Sequence, residues 1–228
     1  MAVPFVLVNS NVSTPPVSPV GLEYTGYALE QSGISVSIID LALSTDWREA
    51  VRKGLSDVVP VAVGISVRNT DDVCFTTKKS YLPWIREVVT EVRRWTTSPI
   101  VLGGVGYSTM PAEVLRQTGA DFGIDGDSEM AIVSLAKAIL AKGDVSSLPN
   151  LVHRHRDKII CNPRVYFELE RLPLPRRELF DNAAYEKAGA MVGIETKRGC
   201  PQQCIYCADP VAKGRVIRLR PPSVIVAE

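Results

Sequence analysis

The first 142 residues alternate short β-branched runs with longer runs whose apolar residues recur every three or four positions. Phe5 to Asn9 reads as a strand and Pro19 to Ser32 as a helix. Val36 to Asp40 is the next strand. Asp46 to Ser56 is the next helix, with Asp46 placed to cap it. Val61 to Val67 is a continuous apolar run of the kind that a parallel sheet buries on both faces. Over Tyr81 to Trp95, the residues Leu82, Ile85, Val88, Val89 and Val92 share one helical face. Ile100 to Leu102 is a strand that runs into Gly103-Gly104-Val105-Gly106. Pro111 to Gln117 is a short helix with proline near its start. Phe122 to Ile124 is a fifth strand, and Ser128 to Lys142 a last helix with Ser128 as its cap. Five strands alternating with helices predict an α/β fold, a doubly wound five-stranded parallel sheet. Such sheets bind ligands at the carboxyl ends of their strands.

The pattern then changes. Leu151 to Arg154 and Lys158 to Cys161 predict a β-hairpin turning near Asp157, and residues 169–178 are Pro-rich and read as an extended linker. Met191 to Thr196 predicts a new strand that leads into a cysteine cluster. The expected organisation is a front domain over 1–145, a hairpin and linker over 146–190, and the start of a second domain over 191–228.

Charge and composition narrow the function classes. Lys and Arg number 26 and Asp and Glu 25, for a net charge of +1, which argues against a nucleic-acid binder driven by bulk charge. No apolar run reaches the roughly 18 residues that a membrane span needs. The opening Met1 to Val8 lacks a basic flank and reads as a buried strand, not a signal peptide. Five cysteines, three of them clustered, suit a reducing cytoplasm and a metal site better than a disulfide framework.

The cluster is Cys200, Cys204 and Cys207, spaced C-x3-C-x2-C and led by Arg198-Gly199. A structural zinc site is one alternative, but it needs four ligands, and neither Cys74 and Cys161 nor His153 and His155 has partner-like spacing. A buried cysteine cluster is another, but three thiols in eight residues beside glycine and proline is not core composition. The spacing favours a [4Fe–4S] cluster on three thiolates, with its fourth iron open to a ligand. Cys74 and Cys161 read as small buried hydrophobes. His153 and His155 read as a solvated hairpin face, and Trp47, Trp84 and Trp95 as helix packing.

In the front domain, four segments share the predicted carboxyl edge. They are Asn9 to Tyr24, Ser66 to Asp72, Gly103 to Gly106, and Asp125 to Glu129. No G-x-G-x-x-G follows the first strand, so a dinucleotide is not expected there. The acidic positions of a phosphate-accepting receiver domain are absent too. Glycines at this edge admit a large flat ligand or its phosphate tail, although ordinary turn glycines would look the same.

The cysteine loop, with Tyr206 before its last thiol, resembles that of the radical S-adenosylmethionine enzymes. The Pro15-Pro16-Val17-x-Pro19-x-Gly21-Leu22-Glu23-Tyr24 stretch, Ser66-x-Arg68, Gly103-Gly104 and Gly126-x-x-Glu129 resemble the Rossmann-like cobalamin-binding domain that precedes some of them. The resemblance covers nearly the whole chain. The Arg68-Asn69-Thr70-Asp71-Asp72 run is similar to that of the tryptophan 2-methyltransferase type. It implies three cofactors: a [4Fe–4S] cluster on Cys200, Cys204 and Cys207, cobalamin, and S-adenosylmethionine with Tyr206 near its adenine. Asn9, Asn11, Pro16, Val17, Gly21, Leu22, Ser66, Arg68, Asn69, Thr70, Gly103, Gly104, Gly106, Gly126 and Glu129 would hold the corrin and its tail. The chain lacks Asp-x-His-x-x-Gly, so cobalamin would bind without a histidine ligand, and Arg68 would lie below the cobalt in a catalytic role. A salt bridge from Arg68 to Asp71 or Asp72 is the competing reading, as plain loop packing is for Tyr206.

The implied activity is methyl transfer from S-adenosylmethionine through cobalamin to an unactivated carbon of a small molecule, peptide or natural-product intermediate, by a cytoplasmic monomer. Two alternatives remain: a cobalamin-binding module without catalysis, and a cobalamin-dependent ring-forming enzyme. A βα barrel needs about 200 residues, so the chain would carry only the first strand of a truncated barrel and would be inactive alone.

Overall fold

The computed structural model describes residues 3–172 and 174–228. The elements run β1 (Phe5–Asn9), α1 (Val20–Gln31), β2 (Val36–Asp40), α2 (Trp47–Leu55), β3 (Val63–Ser66), α3 (Leu82–Trp95), β4 (Ile100–Gly103), α4 (Pro111–Thr118), β5 (Phe122–Ile124) and α5 (Glu129–Leu140). β6 (Leu151–His155), β7 (Lys158–Cys161), α6 (Asn182–Lys187), β8 (Lys197–Arg198), α7 (Asp209–Lys213), β9 (Arg218–Leu219) and α8 (Pro222–Ala227) follow. The main sheet has the order β2-β1-β3-β4-β5-β6-β7. Its first five strands are parallel, with Val6 beside Ser37 on one side and Val63 on the other.

Alternation along the strands builds a core on each face. Val6, Val8, Val63, Ile65, Ile100 and Leu102 pack against α2, α3 and α4, through Val51, Leu55, Ile85, Val88, Val92 and Leu115. Phe5, Leu7 and Val101 point the other way, toward Leu22 and Leu29 of α1 and Ile132 and Leu135 of α5. Helices on both faces make the sheet doubly wound. Asp46 caps α2 as expected, accepting from the Glu49 N–H at 3.1 Å. Ser128 precedes α5 without a side-chain cap, and its hydroxyl pairs instead with Thr25 at 2.9 Å.

The structure departs from the sequence expectation after residue 145. The hairpin does not stand apart: β6 pairs antiparallel with β5, Phe122 beside His153, and extends the sheet to seven strands. His153 is buried as a result, not solvated, whereas His155 is exposed. The proline-rich segment is docked, with buried Leu169 and Leu172 and short turns at Leu169–Arg171 and Arg177–Leu179. Arg177 donates to the buried Glu23 at 2.7 Å, which fixes the segment against α1. Met191 to Thr196 forms no strand. The chain pairs only at β8, two residues long, antiparallel to β9. Among the described residues no barrel is closed.

Cys74 and Cys161 are exposed, not buried. Cys74 lies on the loop between β3 and α3, where hydrogen bonds from Thr76 and Thr77 push its thiol down to about 7. Trp47 and Trp84 meet edge to face at 4.8 Å, and Trp84 donates to the Ser10 carbonyl, so two of the three tryptophans join α2 and α3 to the end of β1. Trp95 at the end of α3 donates to Glu91 at 3.0 Å.

Candidate functional site

The carboxyl ends of β1, β3, β4 and β5 open onto one cavity of about 410 Å³. That falls in the range of about 300–1,000 Å³ common for ligand sites. Its base is apolar, with Leu7, Ile65, Leu102 and Ile124, and its opposite wall comes from the last segment through Met191, Glu195, Arg198 and Lys213. Ten of the residues expected from sequence line it: Asn9, Val17, Gly21, Leu22, Ser66, Arg68, Gly103, Gly104, Gly126 and Glu129. Asn11, Pro16, Asn69, Thr70, Gly106 and Tyr206 stand outside the lining, as do the three clustered cysteines.

The glycines divide by role. Gly104 has φ +105°, and a Cβ there would meet the Val67 carbonyl at 2.7 Å. A Cβ at Gly106 would stand 2.8 Å from the Arg68 carbonyl. These two let the turn after β4 close onto the end of β3. Gly103 and Gly21 differ, because an added Cβ meets nothing within 4 Å at either. Their missing side chains leave open space within the cavity.

Arg68 lies two residues past the end of β3 and is exposed at the cavity. Its guanidinium donates to Asn69 Oδ1 at 2.7 Å and makes no salt bridge among the described residues. The alternative partners are engaged elsewhere. Asp71 accepts from the Val73 N–H at 2.7 Å, and Asp72 from those of Cys74 and Lys79 at 3.1 and 3.2 Å. Neither His153 nor His155 lines the cavity.

Asn9 is held in a buried network. Its amide donates to Asp40 at 3.0 Å and to the Tyr185 hydroxyl at 2.7 Å, and that hydroxyl donates to Asp40 at 2.7 Å. Burial pushes the Asp40 carboxyl above the ordinary aspartate value, against the opposing hydrogen bonds from Tyr185, the Ala42 N–H and Asn9. A carboxyl whose folded pKa is raised contributes its full stability below its unfolded pKa and loses it as pH rises through the folded one. The Asp40 contribution to the denaturant midpoint should therefore fall as pH climbs from 3.8, opposite in sign to those of Glu49, Asp72 and Asp144, whose carboxyls are held low. Asp40→Asn should remove that contribution from the pH slope; an unchanged slope would exclude Asp40 as its source.

Glu129 is 1% exposed and faces Arg198, itself 7% exposed, at 3.0 Å. Asp127 and Glu195 also hold Arg198, at 3.3 and 2.8 Å. Burial acts to lower the Arg198 pKa, but the charges of Glu129 and Glu195 outweigh it and hold it well above the ordinary arginine value. Sequence reasoning places Glu129 among ligand contacts and misses Arg198, Asp127 and Ser108. The Ser108 hydroxyl accepts from the Gly126 N–H at 2.9 Å. The one signal for Arg198 is its place two residues before Cys200.

The cysteine loop joins β8 to β9. Gly199 at φ +85° starts it, where a Cβ would collide with the Val216 carbonyl. The Cys200 N–H donates to the Gly214 carbonyl at 3.0 Å. Cys200 is half-buried, Cys204 and Cys207 are exposed, and Tyr206 is 87% exposed and packs into no core. Among the described residues, no group of three or more His, Cys, Asp or Glu side chains is drawn together to hold a metal ion. No helix of the described residues is long and apolar enough to cross a membrane.

Comparison with known proteins fits this arrangement. The family model described as B12 binding domain matches residues 7–136. The chain is 30% identical to tryptophan 2-C-methyltransferase of Streptomyces laurentii, over 97% of this chain and 46% of that protein. It superposes on the radical S-adenosylmethionine methyltransferase TsrM from Kitasatospora setae, solved with cobalamin and a [4Fe–4S] cluster, with a TM-score of 0.93 and 32% identity over 100% of this chain and 46% of that one. The cobalamin-dependent radical enzyme OxsB shares the fold at a TM-score of 0.74 and 21% identity, over 96% of this chain and 30% of its own. The chain thus spans less than half the length of these relatives. With the family match running from within β1 to within α5, across the strand ends that open onto the cavity, this chain belongs to the B12-binding domain family.

Proposed function

We propose that this chain is the cobalamin-binding part, and the start of the radical S-adenosylmethionine part, of a cobalamin-dependent methyltransferase. The observation that carries the reading is the apolar strand-end cavity, open at Gly103 and Gly21 and edged by Arg68. A large flat ligand with polar margins suits that shape. The reading divides the chain as 1–145 for cobalamin, 146–190 for hairpin and linker, and 191–228 for the cluster-bearing segment. Cobalamin, when bound, supplies a carrier for a methyl group, and the cluster supplies an open iron that binds S-adenosylmethionine.

Asn9, Val17, Gly21, Leu22, Ser66, Gly103, Gly104, Gly126 and Glu129 would form the cobalamin wall, with Asn11, Pro16, Asn69, Thr70 and Gly106 shaping it from behind. Arg68 would face the lower side of the cobalt. A guanidinium stays protonated and has no lone pair to donate, so Arg68 would supply no ligand to that side. Its freedom from Asp71 and Asp72 supports that role. Cys200, Cys204 and Cys207 would ligate the cluster; three thiols without a fourth is the donor set of a cluster with one open iron. Tyr206, at 87% exposure, would cover the adenine of S-adenosylmethionine. The substrate would be a small molecule, in line with a second TsrM structure, which was solved with a tryptophan substrate bound. The parent enzyme would be cytoplasmic and monomeric.

Arg68→Ala tests the assignment. With cobalamin bound and reduced to Co(II), the unmutated chain should give the electron paramagnetic resonance spectrum of cobalt without a nitrogen ligand. The variant should shift that spectrum as water or another donor reaches the lower face. Identical spectra would remove Arg68 from beneath the cobalt.

A further inference from the structure

The two strands that carry the cysteine loop should not hold together on their own. β8 and β9 have two residues each, and their register sets Arg198 directly opposite Arg218. So short a ribbon is marginal, and like charges across a strand pair disfavour it further. Asp127 lies between these arginines. It belongs to the connection from β5 to α5 and is 4% exposed. Its Oδ1 accepts from Arg198 and from Arg218, each at 3.3 Å, and its Oδ2 accepts from a second Arg218 nitrogen. Oδ2 also accepts from the Phe167 N–H at 3.1 Å. One carboxylate thus gathers both ends of the cysteine loop and the docked linker.

Neighbouring contacts complete the clamp. Glu129 takes the remaining side of Arg198. Arg218 lies 4.9 Å from the Tyr166 ring centre and donates to the carbonyls of Phe167 and Lys213, at 2.9 and 3.1 Å. The residues flanking the loop, Glu195 and Arg198 before it and Ala212 and Lys213 within it, wall the cavity. The loop's place is therefore set by a carboxylate of the cavity edge.

We propose that Asp127 is a positioning residue, whose charge holds the cysteine loop against the strand-end cavity and so fixes the loop's cofactor relative to the one in the cavity. That the loop carries a cluster rests on the proposed function; that Asp127 holds the loop does not.

The test uses the cofactor-free 228-residue chain. Alkylation of each cysteine by iodoacetamide is followed by mass spectrometry in the unmutated chain, Asp127→Ala, Asp127→Asn and Arg218→Gln. Asp127→Ala and Arg218→Gln should speed Cys200 alkylation about tenfold, because releasing one end of the ribbon opens it locally. Asp127→Asn, which keeps an acceptor oxygen, should fall between. Cys74 and Cys161 serve as references and should not change. Equal acceleration at all five cysteines in both Asp127→Ala and Arg218→Gln, or no selective change at Cys200 in either, overturns the proposal. If Asp127→Ala alone loses the fold, Arg218→Gln decides the matter, since Arg218 stands outside the cavity lining.

A second readout follows reconstitution. In the unmutated chain the Co(II) resonance should be broadened by the reduced cluster nearby. Arg218→Gln should retain both cofactors and lose that broadening; unchanged broadening overturns the proposal. A chain that takes up neither cofactor refutes the proposed function, while the alkylation result still judges Asp127.

Discussion

Glu129→Ala is expected to be among the most destabilising single changes in this chain. Glu129 is 1% exposed and Arg198 is 7% exposed, so removing the carboxylate leaves a guanidinium buried without its main partner. Breaking such a pair costs about 3–5 kcal/mol, and at about 2–4 °C per kcal/mol for a domain of this size the melting temperature should fall by roughly 10 °C. The cost lies in the stranded charge more than in a lost attraction. Replacing both partners with apolar residues of similar volume, Glu129→Leu with Arg198→Met, should therefore recover part of the loss, while Asp127, which keeps Arg218, and the part-exposed Glu195 each lose a partner. A double variant no better than Glu129→Ala would show that the pair's own attraction dominates. A Glu129→Ala protein that melts as the unmutated chain does would show that the pair is not buried in solution.

The second large effect concerns the cluster. Cys204→Ala should abolish the broad iron–sulfur absorbance gained on reconstitution with iron and sulfide, because the two thiolates left in the loop cannot hold four irons. Cys204 is exposed in a loop without regular structure, so the fold should be unaffected. Cys74→Ala, on the loop between β3 and α3, should keep the absorbance. Survival of the absorbance in Cys204→Ala would refute the ligand assignment, and its loss in Cys74→Ala would place a ligand where the spacing does not.

The sheet is legible because its signal is local. Short β-branched runs in the strands and a period near 3.6 in the helices locate β2, β5 and the face of α3 from residues within a few positions of one another. The features that escape depend on distant partners. Leu-Val-His-Arg-His at 151–155 has the pattern of a free hairpin strand, and only its pairing with β5 buries His153. Met191 to Thr196 has strand-like side chains, but among the described residues it pairs with no strand, and pairing in this region is confined to β8 and β9. The proline-rich segment looks like a linker until Arg177 meets Glu23, 154 residues earlier.

The site divides in the same way. Glycine-rich strand ends mark the cavity, and Gly103 and Gly21 open onto it. Gly104 and Gly106 sit tight against the end of β3, which a glycine pattern alone cannot distinguish from a ligand cradle. Glu129 looks like a ligand contact in the sequence because its partner Arg198 lies 69 residues further on. Residue type alone reads Cys74 as buried, but residues 72–80 carry it on an exposed loop.

The central claim is that the strand-end cavity binds cobalamin. Its most direct test is retention of corrin absorbance after the chain is mixed with hydroxocobalamin and desalted, comparing the unmutated protein with Gly103→Leu. The Cβ of a Leu at 103 would enter open space on the cavity side, since nothing lies within 4 Å of its position. Cobalamin binding in this cavity predicts that the unmutated chain retains corrin, with a spectrum unchanged between about pH 5 and 8 because no histidine ligand titrates there. It also predicts that Gly103→Leu keeps its melting temperature and loses the corrin. No retention by the unmutated chain, or equal retention by Gly103→Leu, would contradict it.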